Sequence, residues 1–149
     1  MIRDVAIHHL NLAVMTEIGW SPFTDSVDLL GEPGPAVPAS GGVYVLMSNA
    51  THFTYPAGAC SVFYIGMASN LQKRLSDHRK FTLQLKAGKI SERFYPRYEW
   101  AANHGAMATW SVRPRRNSAL GPRAAETHLL REFALTFRAP PLANSQSAW

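Results

Sequence analysis

Glu126 sits where a carboxylate needs compensation. It lies three and four residues before Leu129 and Leu130, and Leu129, Leu130, Phe133, Ala134 and Phe137 recur at helical spacing. The same periodicity turns Glu126 onto the inward stripe. Desolvating that charge costs on the order of several kcal/mol unless a partner or a metal ion offsets it. The plainer alternative is a carboxylate held by the positive end of its own helix and paired with Arg123, worth about 0.3 to 1 kcal/mol where exposed. Periodicity leaves both open. Glu132 falls on the opposite side of the helix and reads as a solvated charge.

Two tyrosines and a basic helix face accompany it. Alternation along Val43–Met47 and Ser61–Ile65 puts Val43, Val45, Met47, Phe63 and Ile65 on one face of a strand pair, and Tyr44 and Tyr64 on the opposite surface. Downstream, Leu71, Arg74, Leu75 and His78 share one helical stripe. Each of these residues also has an ordinary reading. The tyrosines fit as strand aromatics, Arg74 as a side chain snorkelling over Leu71, and His78 as a partner of Asp77 or of a backbone carbonyl. His8, His9, His52, His104 and His128 show no metal-ligand spacing and read as structural or surface residues.

Local signals predict the elements that would position these groups. The two β-branched and aromatic runs are of strand length, with Pro56 and Gly58 in the dozen residues between them. They predict antiparallel strands joined by a long loop. Ser69, with Gln72 three residues on, is a capping-box pattern and predicts a helix to about Lys80. Residues 82–104 predict further helix broken near Pro96, and Met107–Val112 a third strand, with Arg113, Arg115 and Arg116 in the turn after it. Pro122, following Gly121, starts the last helix, which ends near Phe137 ahead of Pro140 and Pro141. Residues 31–42 carry three prolines and four glycines in twelve positions and read as a connector. Before it, Ile7–Ile18 predicts a short helix, and Trp20, Phe23, Val27, Leu29 and Leu30 predict anchors on the core. Residues 1–41 are thus expected to form an N-terminal extension and linker, and residues 42–149 the main domain.

A chain of 149 residues holds one core without staples. With 46% hydrophobic and 17% charged residues, wholesale disorder and fibrous classes are excluded. The single cysteine, Cys60, excludes an intrachain disulfide framework or a multi-cysteine zinc site and suits a cytoplasmic location. Asp4, His8 and His9 interrupt the N-terminal stretch, which argues against a signal peptide, and no run approaches a membrane span. The net charge of +5 is unevenly spread: residues 1–72 hold one basic side chain against five acidic, and residues 73–149 fourteen against five. A positive half attracts polyanions, nucleic acid foremost, although a charge run is also commonly a solvated face.

Gly42-Val43-Tyr44, Tyr64-Ile65-Gly66, Arg74 eight residues beyond Gly66, His78 one turn later, Glu126 on a late helix and Asn144 after Pro140-Pro141 stand in an order that resembles the GIY-YIG nuclease family. Valine replaces isoleucine in the first tripeptide, and the second matches letter for letter. Asn70-Leu71 and Lys73-Arg74-Leu75 also look like the family's helix sequence. The resemblance spans residues 42–144, about two-thirds of the chain. It implies an α+β fold with a small three-stranded antiparallel sheet flanked by helices, and metal-dependent hydrolysis of phosphodiester bonds in nucleic acid, DNA more than RNA. It also implies roles: Glu126 binding one magnesium or manganese ion through hard oxygen ligands, Tyr44 as general base, and Tyr64 orienting water or phosphate. Arg74 holds the scissile phosphate, His78 serves as proton relay or phosphate contact, and Asn144 steadies Glu126 or the metal's water. A free phenol has a pKa near 10, so Arg74 and the cation are expected to favour the Tyr44 phenolate.

One departure is Met67, where many relatives carry a lysine or another polar residue; Lys73 is the alternative source of that contact. Arg113, Arg115 and Arg116 are candidates for contacts to the nucleic-acid backbone, with a solvated turn as the equal alternative. The competing functions are a nucleic-acid-binding module of the same fold without turnover, and a partner-binding protein whose acidic N-terminal segment covers the basic half. The sequence also admits a protein partner or a homodimer.

Overall fold

The computed structural model describes residues 6–89, 96–114 and 120–145. In chain order the elements are α1 (Val14–Glu17), β1 (Val27–Asp28), β2 (Gly42–Met47), β3 (Phe53–Tyr55), β4 (Gly58–Cys60), β5 (Val62–Ala68), α2 (Leu71–Lys86), α3 (Pro96–His104), β6 (Met107–Val112), α4 (Pro122–Phe137) and α5 (Leu142–Ser145). The fold is α+β with antiparallel pairing, as expected. Its main sheet, however, has four strands in the order β1-β6-β2-β5 rather than three. The loop between β2 and β5 folds into a hairpin of its own, β3-β4.

The fourth strand comes from the N-terminal segment. Val27 and Asp28 pair with Ala108 and Met107, while Thr24 and Ser21 continue along the same edge. Thr24 N–H donates to the Trp110 carbonyl at 3.0 Å, and Val112 N–H donates to Ser21 Oγ at 2.8 Å. The outer backbone groups of β6 therefore find partners without a long regular strand, as a buried edge requires. Trp20 and Leu29 are buried in the core, with Phe23, Val27 and Leu30 packed against it. Helix α1 has only four residues rather than the span Ile7–Ile18, because Ile7 instead bridges to Ala59.

Strands β2 and β5 pair with Tyr44 opposite Gly66, Val45 opposite Ile65 and Leu46 opposite Tyr64. This register keeps the odd-numbered residues on one face and both tyrosines on the other. Both faces are buried: Val43, Tyr44, Val45, Leu46, Phe63 and Ile65 have no exposed surface. The tyrosine face is therefore an interior layer under α2 and α3, not a surface.

Helix α2 is capped by Asn70, whose side chain accepts from Lys73 N–H, rather than by Ser69, and it runs six residues past Lys80 to Lys86. Residues 82–86 and 96–104 are helical, as expected for helix on both sides of a break, with 90–95 outside the described residues. Helix α4 has the bounds its Gly121-Pro122 start and the following prolines indicate, and it ends on Arg138 in the left-handed conformation. Its buried stripe is Ala125, Leu129, Phe133 and Phe137; Leu130 is only partly buried and Ala134 exposed.

Candidate active site

The site is built on strand β5 and the strand and helices that meet it. His78, on the buried stripe of α2 with Leu71, Leu75 and Thr82, reaches the tyrosine layer. Its Nε2 lies 2.7 Å from the Tyr44 hydroxyl, and its Nδ1 has no partner among the described residues. The rings of Tyr44, Tyr64 and His78 form a triangle with centroids 5.3 to 6.0 Å apart. Gly66 is what lets them close. A Cβ there would lie 2.5 Å from the Tyr44 hydroxyl and 2.8 Å from Tyr64 Cε1. At Gly42 a Cβ would meet Leu71 Cδ1 and, at 2.5 Å, the carbonyl of Ser111. The two glycines are thus needed for close packing of α2 and the tyrosines on the sheet.

Arg74 lies beside the buried stripe rather than on it, with its side chain exposed. Its charge acts on Tyr44, Tyr64, His78 and Glu126, lowering the pKa of all four. These five residues therefore form one electrostatic neighbourhood. Within it, burial is the largest influence on each titratable group. It holds Tyr44 well above the ordinary phenol range, with Tyr64 adding to the rise and Arg74 and Arg97 opposing it. It raises Tyr64 similarly. It also holds His78 well below the ordinary imidazole range, with Arg97 and Arg74 pushing the same way. Arg74 thus acts toward the Tyr44 phenolate, as expected. The arginine pulls in that direction, but full burial outweighs it, and the resting pair is a neutral phenol against a neutral imidazole.

Glu126 is half-buried, and burial raises its carboxyl pKa. Arg123, the backbone N–H of Met67 and Arg74 oppose the rise without cancelling it. Arg123 is thus near enough to favour the carboxylate, as the plainer alternative expects, while burial outweighs it. Among the described residues no three histidine, cysteine, aspartate or glutamate side chains cluster as a metal-binding group.

Asn144 grips the strand that carries Tyr64. Its Oδ1 accepts from Ile65 N–H at 2.8 Å, and its Nδ2 donates to the Ile65 carbonyl at 2.7 Å. β5 is an edge strand, so Asn144 at Ile65 and Glu126 at Met67 satisfy successive outward backbone groups. Tyr55 sets up this clasp. Its hydroxyl donates to the Val62 carbonyl at 2.7 Å and accepts from Leu142 N–H at 3.1 Å, which fixes the start of α5.

Sequence reasoning missed Tyr55, Arg97 and Tyr98. Arg97 lies over the rings of Tyr64 and Tyr98, 5.6 and 4.9 Å from their centroids. Tyr98 packs edge-on against His78. The available signal was Pro96, a residue favoured in a helix's first turn, which puts Arg97 and Tyr98 on the helix that contains it. Lys73, Arg74, Asp77, Phe81, Arg97 and Tyr98 line an open concavity of about 380 Å³. Arg113 is exposed at the end of β6 and is not part of that lining; Arg115 and Arg116 lie outside the described residues.

The GIY-YIG catalytic domain model matches residues 40–137. The chain belongs to the GIY-YIG family. No curated protein and no solved structure matches it. Membership places the chain among nucleases, and the GIY-YIG tripeptides are the paired segments of β2 and β5 that hold the two tyrosines. Among the described residues, no helix is long and apolar enough to cross a membrane.

Proposed function

We propose that this GIY-YIG domain is a divalent-cation-dependent endonuclease acting on nucleic acid, DNA in preference to RNA, by in-line attack of water that leaves a 5′-phosphate and a 3′-hydroxyl. The observation that carries the reading is the Tyr44–His78 pair at 2.7 Å inside the electrostatic reach of Arg74. That pair is a proton acceptor in waiting, beside a cation suited to phosphate.

Tyr64, the less enclosed of the two phenols, lies within reach of Glu126 and is hydrogen-bond-coupled to Tyr44. In the proposed step the attacking water gives its proton to Tyr64, so that Tyr44, expected as the general base, acts through it because its own hydroxyl is fully buried. Tyr64 passes its own to Tyr44, and Tyr44 passes its own to His78 Nε2. The water oxygen bonds to phosphorus as the bond to the 3′ oxygen breaks, and that oxygen takes a proton from solvent water to leave as the 3′-hydroxyl. An incoming phosphodiester beside Arg74 and Arg97 offsets the two positive charges that depress His78, so substrate binding itself makes His78 more basic. Arg74 holds the phosphate and neutralises charge growing in the transition state.

Glu126 is the residue that would hold a magnesium or manganese ion, since its half-buried carboxylate lacks full compensation and offers hard oxygen. Such an ion, when bound, supplies Lewis-acid stabilisation of phosphate and leaving-group charge. Asn144 steadies this arrangement through Ile65, and the basic residues of the C-terminal half supply sequence-independent attraction to the backbone.

The test is cleavage of end-labelled single-stranded, duplex and branched DNA and of RNA, with mapping of the product ends. The reading expects 5′-phosphate products, and faster cleavage of DNA than of RNA. Salt-sensitive binding with no cleavage by folded protein in any metal would instead favour a binding module of the same fold.

A further inference from the structure

The residue after Gly66 brings no charge to the site: Met67 packs its side chain against the core and gives its backbone N–H to Glu126. A second guanidinium nevertheless stands there, supplied by a different element. Arg97, at the start of α3, is half-buried between the rings of Tyr64 and Tyr98, and its Nη2 lies 3.4 Å from the Tyr98 hydroxyl. Those contacts fix the side chain before any ligand arrives, so little rotamer freedom remains to be lost on binding.

Arg97 and Arg74 line the same concavity with Lys73, and among the described residues that line it Asp77 carries the one carboxylate. Three cationic side chains drawn to one half-enclosed space of about 380 Å³ repel one another at reduced dielectric. An anion between them removes that repulsion. A phosphodiester also presents two oxygens to a guanidinium fork.

We propose that Arg97 is a phosphate-binding residue which, with Arg74, grips a phosphodiester of the bound strand in the concavity between the starts of α2 and α3. The proposal rests on the nuclease reading for the identity of its ligand and assigns to α3 a part in substrate binding. Contact with the Tyr64 ring places the gripped phosphate next to the reacting centre.

The experiment compares wild type, Arg97→Gln and Arg97→Lys in three measurements: the salt dependence of DNA binding in calcium, cleavage rate, and NMR titration of the Arg97 guanidinium with inorganic phosphate. Thermal unfolding of each variant checks folding, and Arg97→Lys, which keeps the cation over the rings, covers the case where Arg97→Gln fails to fold. For Arg97→Gln the slope of log affinity on log salt is expected to fall by about 0.7 to 0.9, the value of one phosphate contact. Its cleavage is expected to fall about 10²- to 10³-fold. Arg97→Lys is expected to keep the slope and recover only part of the rate, since it lacks the fork. Wild-type slope in folded Arg97→Gln, whether or not cleavage falls, overturns the proposal. If wild type neither cleaves nor binds DNA, the nuclease reading fails. A phosphate-dependent shift of the Arg97 signal would then still support the site, and no shift would overturn it.

Discussion

The Tyr44 hydroxyl and His78 Nε2 lie 2.7 Å apart with both side chains fully buried. Burial moves the two groups in opposite directions, the phenol up and the imidazole down. Both groups are therefore neutral, a phenol against an imidazole, and the tautomer of His78 sets which of the two donates. Removing the hydroxyl while keeping the ring isolates its role. Tyr44→Phe is expected to lower single-turnover cleavage by about 10²- to 10⁴-fold, the range of general-base catalysis, with DNA affinity within about twofold of wild type. Wild-type rates would remove Tyr44 from the mechanism.

His78 links the same pair to stability. Its folded-state pKa lies below 6.5, so as pH falls through 6.5 the unfolded chain takes up a proton that the folded chain does not. Stability carried by the neutral imidazole is present above 6.5 and is lost as pH falls from there toward the folded-state pKa. Urea denaturation at pH 7.5, 6.5 and 5.5 should show wild type losing more stability over this interval than His78→Gln. Parallel pH profiles for the two proteins would contradict a neutral, buried His78.

Gly66 is the contact point of the two phenols with the strand. In Gly66→Ala the new methyl would meet the Tyr44 hydroxyl and Tyr64 Cε1, both on rigid and buried rings. Overpacking of this kind costs about 1 to 3 kcal/mol, readable as a lowered denaturation midpoint, and cleavage should fall more than stability does because the rings must part. A variant with wild-type stability and activity would show that the packing is looser than described.

Asn144 should act through strand β5. Asn144→Ala leaves Ile65 N–H and C=O on an edge strand without their partner, at a cost of about 1 to 3 kcal/mol. Hydrogen exchange at the Ile65 amide is the direct readout: it should speed up in Asn144→Ala and in Tyr55→Phe, which loosens the start of α5. Unchanged protection in both would refute the clasp.

Much of the sheet and helix order was legible because it is written in local signals. The runs at 43–47 and 61–65, the Gly121-Pro122 start and the alternation that puts Tyr44 and Tyr64 on one face need only neighbouring residues to decide. What was not legible depends on distant partners. Val27-Asp28 is a strand only because β6 has an open edge for it, and Asn70 rather than Ser69 caps α2 because its side chain is the one aimed at Lys73 N–H. Glu126 could be placed on an inward face by periodicity, but its bond to Met67 N–H could not. Arg97 was hidden because its importance lies in which rings it covers.

The most direct test of the account is cleavage of labelled DNA by wild type and Glu126→Ala, each with magnesium, with manganese and with chelator. On this account wild type should cut in either metal and not in chelator, and folded Glu126→Ala should lose at least about 10²-fold in each metal. Metal-independent cutting, or equal rates for the two proteins, would contradict it.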